Sequence, residues 1–288
     1  MSANGLVIAA HGRQYLVELA DGSTRLCFPR GKKSEVACGD RVIVVATGEG
    51  QGVIEQVCDR HSLLYRSNEF RQKLIAANVT QVLIVVATEP SFSDMLVTRC
   101  LVAACSQDIK PLIVLNKCDL GDRLEAARTA LAPYRDLAYP IVELSARMDG
   151  ETLRPYLLGQ TSVLVGQSGM GKSTLLNALI PEANAATREI SEALDTGKHT
   201  TTHARLYHLD EESHLIDSPG LQEFGLHHLD LATLEAAFPE FRPVLGHCRF
   251  RDCRHDREPD CALQAALARG EIDPRRFACY RTLRTEVA

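Results

Sequence analysis

Gly166, Gln167, Ser168, Gly169, Met170, Gly171, Lys172 and Ser173 follow the order G-x-x-x-x-G-K-S. That spacing suits phosphate. The glycines let the backbone wrap closely around an anion, and successive amide N–H groups turn toward it. Lys172 is expected to reach the β- and γ-phosphates of a nucleotide, and Ser173 to hold Mg²⁺. Thr174, the next residue, is grouped with them as a nucleotide-binding candidate. Asp217, Ser218, Pro219 and Gly220 have the form D-x-x-G. Here Asp217 is expected to act on Mg²⁺ and the Gly220 N–H to sense a γ-phosphate, as in loops that switch on hydrolysis.

Asn116, Lys117, Cys118 and Asp119 add a base-selecting pattern. A carboxylate accepts two parallel hydrogen bonds from guanine N1 and its exocyclic amine, and adenine offers no such pair. Asp119 would therefore select GTP over ATP. Asn116 would brace the loop, and the Lys117 stem would lie along the base. Ser145 and Ala146 are candidates to give a backbone donor to the guanine oxygen. Between residues 173 and 217, the stretch 197–203 reads Gly-Lys-His-Thr-Thr-Thr-His. Thr201 is the preferred choice to complete the Mg²⁺ shell, with Thr200 and Thr202 as alternatives. The position just after D-x-x-G, where Ras-like enzymes use a glutamine to orient water, holds Leu221, with Gln222 one residue later. A leucine cannot orient water, so His199 is the catalytic candidate within the chain. The alternative is a solvent-exposed loop histidine.

A second cluster is metal-like. Cys248, Cys253, His255 and Cys261 offer three thiolates and an imidazole within a short stretch. That set suits tetrahedral Zn²⁺ with no open position, hence a structural role. His247 and Cys279 compete for a place in it. The surrounding residues show few apolar side chains, so the metal is expected to supply much of the local folding energy.

These residues need particular elements behind them. The loop at 166–173 lies between an apolar strand at 162–165 and a helix at 173–179. Asn116 ends a buried strand at 111–115, Ser145 follows a strand at 141–144, and Asp217 follows a strand at 213–216. A further buried strand at 81–88, with helices at 93–106 and 122–132, completes a strand–helix alternation that implies a parallel sheet covered by helices. The strands at 204–209 and 213–216 read as an antiparallel pair across Asp210, Glu211 and Glu212. Residues 5–60 carry short β-rich segments at 14–19, 41–46 and 52–57 separated by Gly-containing turns, a pattern of a small barrel of OB type. After residue 225 no strand pattern remains, and 231–238 and 261–268 read as helices.

In ordinary small GTPases the phosphate loop comes first. Here Asn116–Asp119 and Ser145 precede Gly166, so the sheet is entered at a different point, as in a circular permutation. This order closely resembles the ribosome small subunit-dependent GTPase A (RsgA) family of circularly permuted GTPases. The block Cys248-Arg249-Phe250-Arg251-Asp252-Cys253-Arg254-His255, followed by Glu258-Pro259-Asp260-Cys261, carries the likeness to the C-terminus. The resemblance implies an OB barrel at 1–65, a permuted α/β P-loop GTPase domain at 66–225 and a small α-helical zinc module at 226–288. It also implies GTP hydrolysis stimulated by the small ribosomal subunit late in that particle's maturation, with GTP/GDP, Mg²⁺ and one structural Zn²⁺ as cofactors.

Composition sets limits on this reading. The chain has 288 residues, 45% hydrophobic and 24% charged, which excludes disordered and collagen-like classes. The length alone favours about two domains. The longest aliphatic run, 82–87, is far short of the roughly twenty residues a membrane helix needs. With no basic-then-apolar start, the chain is expected to be cytoplasmic and not membrane-bound; it is separately expected to be a monomer. The net charge of −5 argues against a wholly basic nucleic-acid binder. Residues 1–65 carry 7 basic and 7 acidic side chains and 226–288 carry 10 of each, so the negative excess lies in 66–225. The neutral ends leave room for ribosomal RNA contacts through Arg30, Lys32 and Lys33, and through Arg249, Arg251, Arg254 and Arg257. A nucleotide-dependent RNA-binding switch with incidental hydrolysis is one rival reading; an ATP-using P-loop enzyme is another, opposed by Asp119.

Overall fold

The computed structural model describes residues 2–31, 35–68, 71–181, 183, 204–218 and 224–287, with the main chain alone at 66–68 and 71–73. The first five strands are β1 (Ser2–His11), β2 (Gln14–Leu19), β3 (Thr24–Pro29), β4 (Arg41–Gly48) and β5 (Gln51–Val57). They close on themselves. β2 pairs with β1 and β3, β3 runs parallel to β5, β5 pairs with β4, and β4 returns to β1. Alternating inward residues, among them Val7, Tyr15, Val17, Cys27, Val42, Val44 and Ile54, fill the interior. This is the five-stranded barrel expected. Its two unpredicted strands, β1 and β3, carry exposed polar residues and turn-like neighbours that weaken the alternation signal.

A hairpin of β6 (Leu63–Asn68) and β7 (Arg71–Ala77) follows, and it spans the expected boundary between residues 65 and 66. Sequence reading missed it. The hairpin is fastened to the barrel by a bridge from Ala76 to Cys38, and to the C-terminal region by the Gly225 N–H, which donates to the Tyr65 carbonyl.

The central sheet has the order β10-β9-β8-β11-β13-β12. Its members are β8 (Gln81–Ala87), β9 (Lys110–Asn116), β10 (Ile141–Glu143), β11 (Thr161–Val165), β12 (Arg205–His208) and β13 (His214–Asp217). All pairings are parallel except β12 with β13. β8 is buried along its whole length, as a strand covered on both faces must be. The helices are α1 (Asp94–Ser106), α2 (Gly121–Asp136), α3 (Arg154–Leu157) and α4 (Lys172–Leu179). β1 also pairs with β12 through Ala9 and Arg205, so barrel and central sheet form one continuous hydrogen-bonded surface.

Beyond residue 225 lie α5 (Leu231–Ala236), α6 (Ala262–Ala268) and α7 (Pro274–Val287). The expectation of a poor core here is corrected. Leu234, Phe238, Phe241, Leu263, Ile272, Phe277, Tyr280 and Leu283 are all buried, and they join the cluster formed by α1. Phe238 stacks on Phe241 at 4.7 Å, and Tyr280 meets Phe241 edge-on at 4.9 Å. The apolar residues are sparse in number but large, which a count by composition understates. Residues Leu96 to Ala104 of α1 are buried without exception, because the helix lies between the sheet and this module.

Candidate functional site

Five parallel strands end on one side, at Ala87, Asn116, Glu143, Val165 and Asp217. The loops after them form a cleft of about 590 Å³, the position where open α/β sheets bind ligands. Asn116, Lys117, Asp119, Ser145, Ala146, Ser168, Gly169, Gly171, Lys172, Ser173, Thr174 and Asp217 all line it. The three motifs, well separated in sequence, therefore meet in one place.

Backbone geometry explains the glycines. Gly166 has φ of 154°, and a Cβ there would stand 2.3 Å from the Val85 carbonyl oxygen. Gly171 has φ of 88°, and its Cβ would stand 2.3 Å from Nδ2 of Asn116. The loop can pass this close to β8 and β9 only without side chains at these points. Asn116 is buried and joins three loops. Its Nδ2 donates to the Met170 carbonyl at 2.9 Å, and its Oδ1 accepts from the Lys117 and Ala146 N–H groups at 2.7 and 2.8 Å. The bracing role expected of Asn116 thus reaches the phosphate loop itself.

Lys172 folds back on its own loop, donating to the carbonyls of Gly166 and Gln167 at 2.6 and 2.9 Å. Burial holds its ammonium below the ordinary lysine range, opposed by the charge of Asp217. Burial pushes Asp217 above the usual carboxylate range, opposed in turn by Lys172. Both groups are desolvated and face each other across the space where charged phosphate would lie. Ser168, Gly169, Ser173 and Thr174 are exposed to the cleft, whereas the Met170 side chain is buried, which leaves only its main chain for a ligand. Lys117 is in the left-handed region with φ of 63°; its Nζ donates to the Glu89 carbonyl and its own carbonyl accepts from the Thr88 hydroxyl. Asp119 is exposed, and among the described residues its carboxylate accepts no hydrogen bond.

Two contacts escaped the sequence reading. The Gln167 side-chain oxygen accepts from the N–H of Ser93, the N-cap of α1, at 3.1 Å. Asp149 accepts from the Ser145 N–H at 2.6 Å and fixes the loop that Ala146 shares. Neither has a spacing signature, apart from a short turn-like interval between Ser145 and Asp149. His199, Thr201 with its neighbours Thr200 and Thr202, Gly220, Leu221, Gln222, Lys32 and Lys33 lie outside the described residues.

The second site is built on α5, α6 and the loop before it. The donor atoms of Cys248, Cys253, His255 and Cys261 all lie within 4.8 Å of one another. His255 Nδ1 stands 3.5 Å from the Cys248 sulfur and 3.3 Å from that of Cys261. Three sulfurs and one imidazole nitrogen so gathered fit Zn²⁺. The other ring nitrogen of His255 is 3.4 Å from Glu235, whose same oxygen accepts from the Tyr280 hydroxyl at 2.8 Å. Donation from the His255 ring to the Glu235 carboxylate raises His255 to about 9, the orienting contact that an outer carboxylate gives to a metal-ligating imidazole. The competitors are set aside. Cys279 is buried on α7 beside Thr98 of α1, and His247 is not among the gathered donors.

The RsgA GTPase family model matches residues 57–227. A relative from Ralstonia pickettii (strain 12J), the "Small ribosomal subunit biogenesis GTPase RsgA", is 58% identical over 97% of this chain and 91% of its own. The protein of the same name from Bordetella pertussis (strain Tohama I) is 57% identical over 99% and 97%. Among solved structures, YjeQ from Thermotoga maritima aligns over 100% of this chain and 99% of its own, with a TM-score of 0.74 and 32% identity. YloQ, described as a circularly permuted GTPase, gives 0.70 and 27% over 100% and 95%. With its motif order, barrel and cysteine cluster, the chain belongs to the RsgA family of circularly permuted GTPases.

Proposed function

We propose that this GTPase works as an assembly factor of the small ribosomal subunit, docking in the GTP form and leaving after hydrolysis. The observation that carries the reading is the meeting of the phosphate loop, Asn116–Asp119 and Asp217 in one cleft, in a chain whose relatives bear the name of small-subunit biogenesis GTPases. In this reading the exposed Asp119 accepts two hydrogen bonds from guanine and rejects adenine. Asn116 holds the base-binding and phosphate-binding loops in register and Lys117 flanks the base; Ser145 and Ala146, whose main-chain N–H groups are held by Asp149 and Asn116, form the wall of the base pocket rather than free donors to the guanine oxygen. Residues Gly166 to Thr174 present N–H groups to the phosphates, and Lys172 leaves its two carbonyl partners for the β- and γ-oxygens. Ser173, Asp217 and Thr201 would hold Mg²⁺, which when bound neutralises charge on the phosphates. His199 positions water in place of the missing glutamine, and the Gly220 N–H registers the γ-phosphate.

The zinc held by Cys248, Cys253, His255 and Cys261 is structural, because those four ligands leave no place for water. Ribosomal RNA is met by the neutral ends rather than the acidic core. Arg249 is exposed beside the exposed ring of Phe250, with its guanidinium 5.5 Å from the ring centre. Among the described residues no helix is long and apolar enough to cross a membrane. We take the protein to be a cytoplasmic monomer, organised as a barrel, a GTPase domain and a zinc module, with the β6–β7 hairpin lying across the boundary expected between residues 65 and 66. Sedimentation with purified small subunits tests the docking cycle. Retention with a non-hydrolysable GTP analogue and release with GDP is expected; equal retention in both states, or none in either, contradicts it.

A further inference from the structure

Glu18, His208 and His214 meet at the seam between barrel and central sheet. His208 and His214 are register partners at the turn end of the β12–β13 pair, the opposite end from Asp217. Their Nδ1 atoms lie 3.0 Å apart, with the rings at 84° to each other. On the other side of the His208 ring, Nε2 is 2.9 Å from a carboxylate oxygen of Glu18, on β2. A carboxylate there accepts the Nε2 proton and leaves the Nδ1 lone pair of His208 facing His214.

We propose that His208 and His214 form an exchangeable site for a divalent transition metal, distinct from the cysteine cluster, with Glu18 orienting His208. Two metal–nitrogen bonds of about 2.0–2.1 Å at roughly 90–110° separate their nitrogens by about 2.9–3.4 Å. The observed 3.0 Å fits adjacent ligands on one ion. Imidazole nitrogen suits zinc, nickel and copper. Burial and the neighbouring His208 hold His214 below the ordinary histidine range, which favours the neutral ring a metal needs. The pair opens on two clefts, of about 1120 Å³ at His208 and about 470 Å³ at His214. Asp59 and Glu211 line both, with Arg41 as the arginine they share, and Asp210 lines the larger. Among the described residues no third side-chain donor gathers with the two rings, so water completes the shell, which suits an exchangeable ion. An ion here ties a barrel strand, through Glu18 and His208, to the hairpin that runs into Asp217.

Calorimetric titration of ZnCl₂ into tag-free, zinc-replete protein, with GDP and Mg²⁺ in excess, tests this. A saturable equivalent beyond the zinc already held is expected. It is lost in both His208→Gln and His214→Gln and weakened roughly 10–100-fold in Glu18→Gln, as removal of an outer-shell carboxylate does. Melting temperatures taken without added zinc control for folding, and the exposed position of His208 keeps one variant informative if His214→Gln unfolds. No saturable binding beyond the resident zinc, or binding that survives His208→Gln, overturns the proposal and leaves a hydrogen-bonded pair.

Discussion

Asn116 and Asp119 stand three residues apart and behave in opposite ways. Asn116 is buried with its amide fully engaged by three loops, so it organises the cleft. Asp119 is exposed and uncommitted, so its carboxylate is available to a ligand. Replacing Asp119 by Asn swaps an acceptor oxygen for an amide donor that faces donors on guanine. The expected result is a loss of about 3 kcal/mol, or roughly 100-fold, in GTP and GDP affinity, as two hydrogen bonds to a charged group are lost. Titration with a fluorescent guanine nucleotide measures it, and the melting temperature of the free protein should hardly move. Much of this residue chemistry was legible in the sequence, because G-x-x-x-x-G-K-S and N-K-x-D fix local backbone conformation and donor placement. The Gln167–Ser93 and Asp149–Ser145 contacts were not. They depend on how α1 and a neighbouring loop pack against the site, which no local spacing records.

At the scale of elements, α1 joins the nucleotide cleft to the C-terminal module. Its N-cap is held by the phosphate loop through Gln167, and its outer face is covered by α7. Arg276 of α7 is almost wholly buried; it pairs with Glu240 at 2.8 Å, donates to the Thr98 hydroxyl of α1 at 3.0 Å and lies 4.7 Å from the centre of the Phe238 ring. Arg276→Ala strands a buried carboxylate and is expected to cost about 3–5 kcal/mol. The double change Arg276→Met with Glu240→Leu removes both charges and should recover most of that, as read by urea unfolding. Helix α7 was missed in the sequence because its buried face includes an arginine and a cysteine among charged residues, which disguises the apolar stripe. The same aromatic core bears on the zinc. Cys261 belongs to the same buried cluster as Phe238, Phe241, Phe277 and Tyr280, but that cluster extends through α1 to the central sheet, so stripping the metal should loosen the 248–261 loop without unfolding the GTPase domain. Limited proteolysis should then cut within that loop while basal GTP turnover persists.

At the scale of the whole molecule, permutation explains the architecture. The chain enters the sheet at β8, after the barrel, and leaves it at Asp217, directly before the helical module. In the sequence the residues expected to sense the γ-phosphate directly precede the C-terminal module, while the β1–β12 pairing fastens the barrel to the hairpin that ends in Asp217. The order of motifs made this legible, since strand and helix alternate through the central region. The length prior of two domains fell short because the barrel and the helical module are each small, and the β6–β7 hairpin between barrel and sheet left no clear composition break. In the function proposed above, this cleft hydrolyses GTP in response to the small ribosomal subunit. Multiple-turnover GTP hydrolysis by the purified protein, with and without small subunits, tests it most directly. A rise of at least about tenfold is expected on adding subunits, equivalent to about 1.4 kcal/mol off the barrier, with ATP not turned over. Equal rates with and without subunits would contradict it.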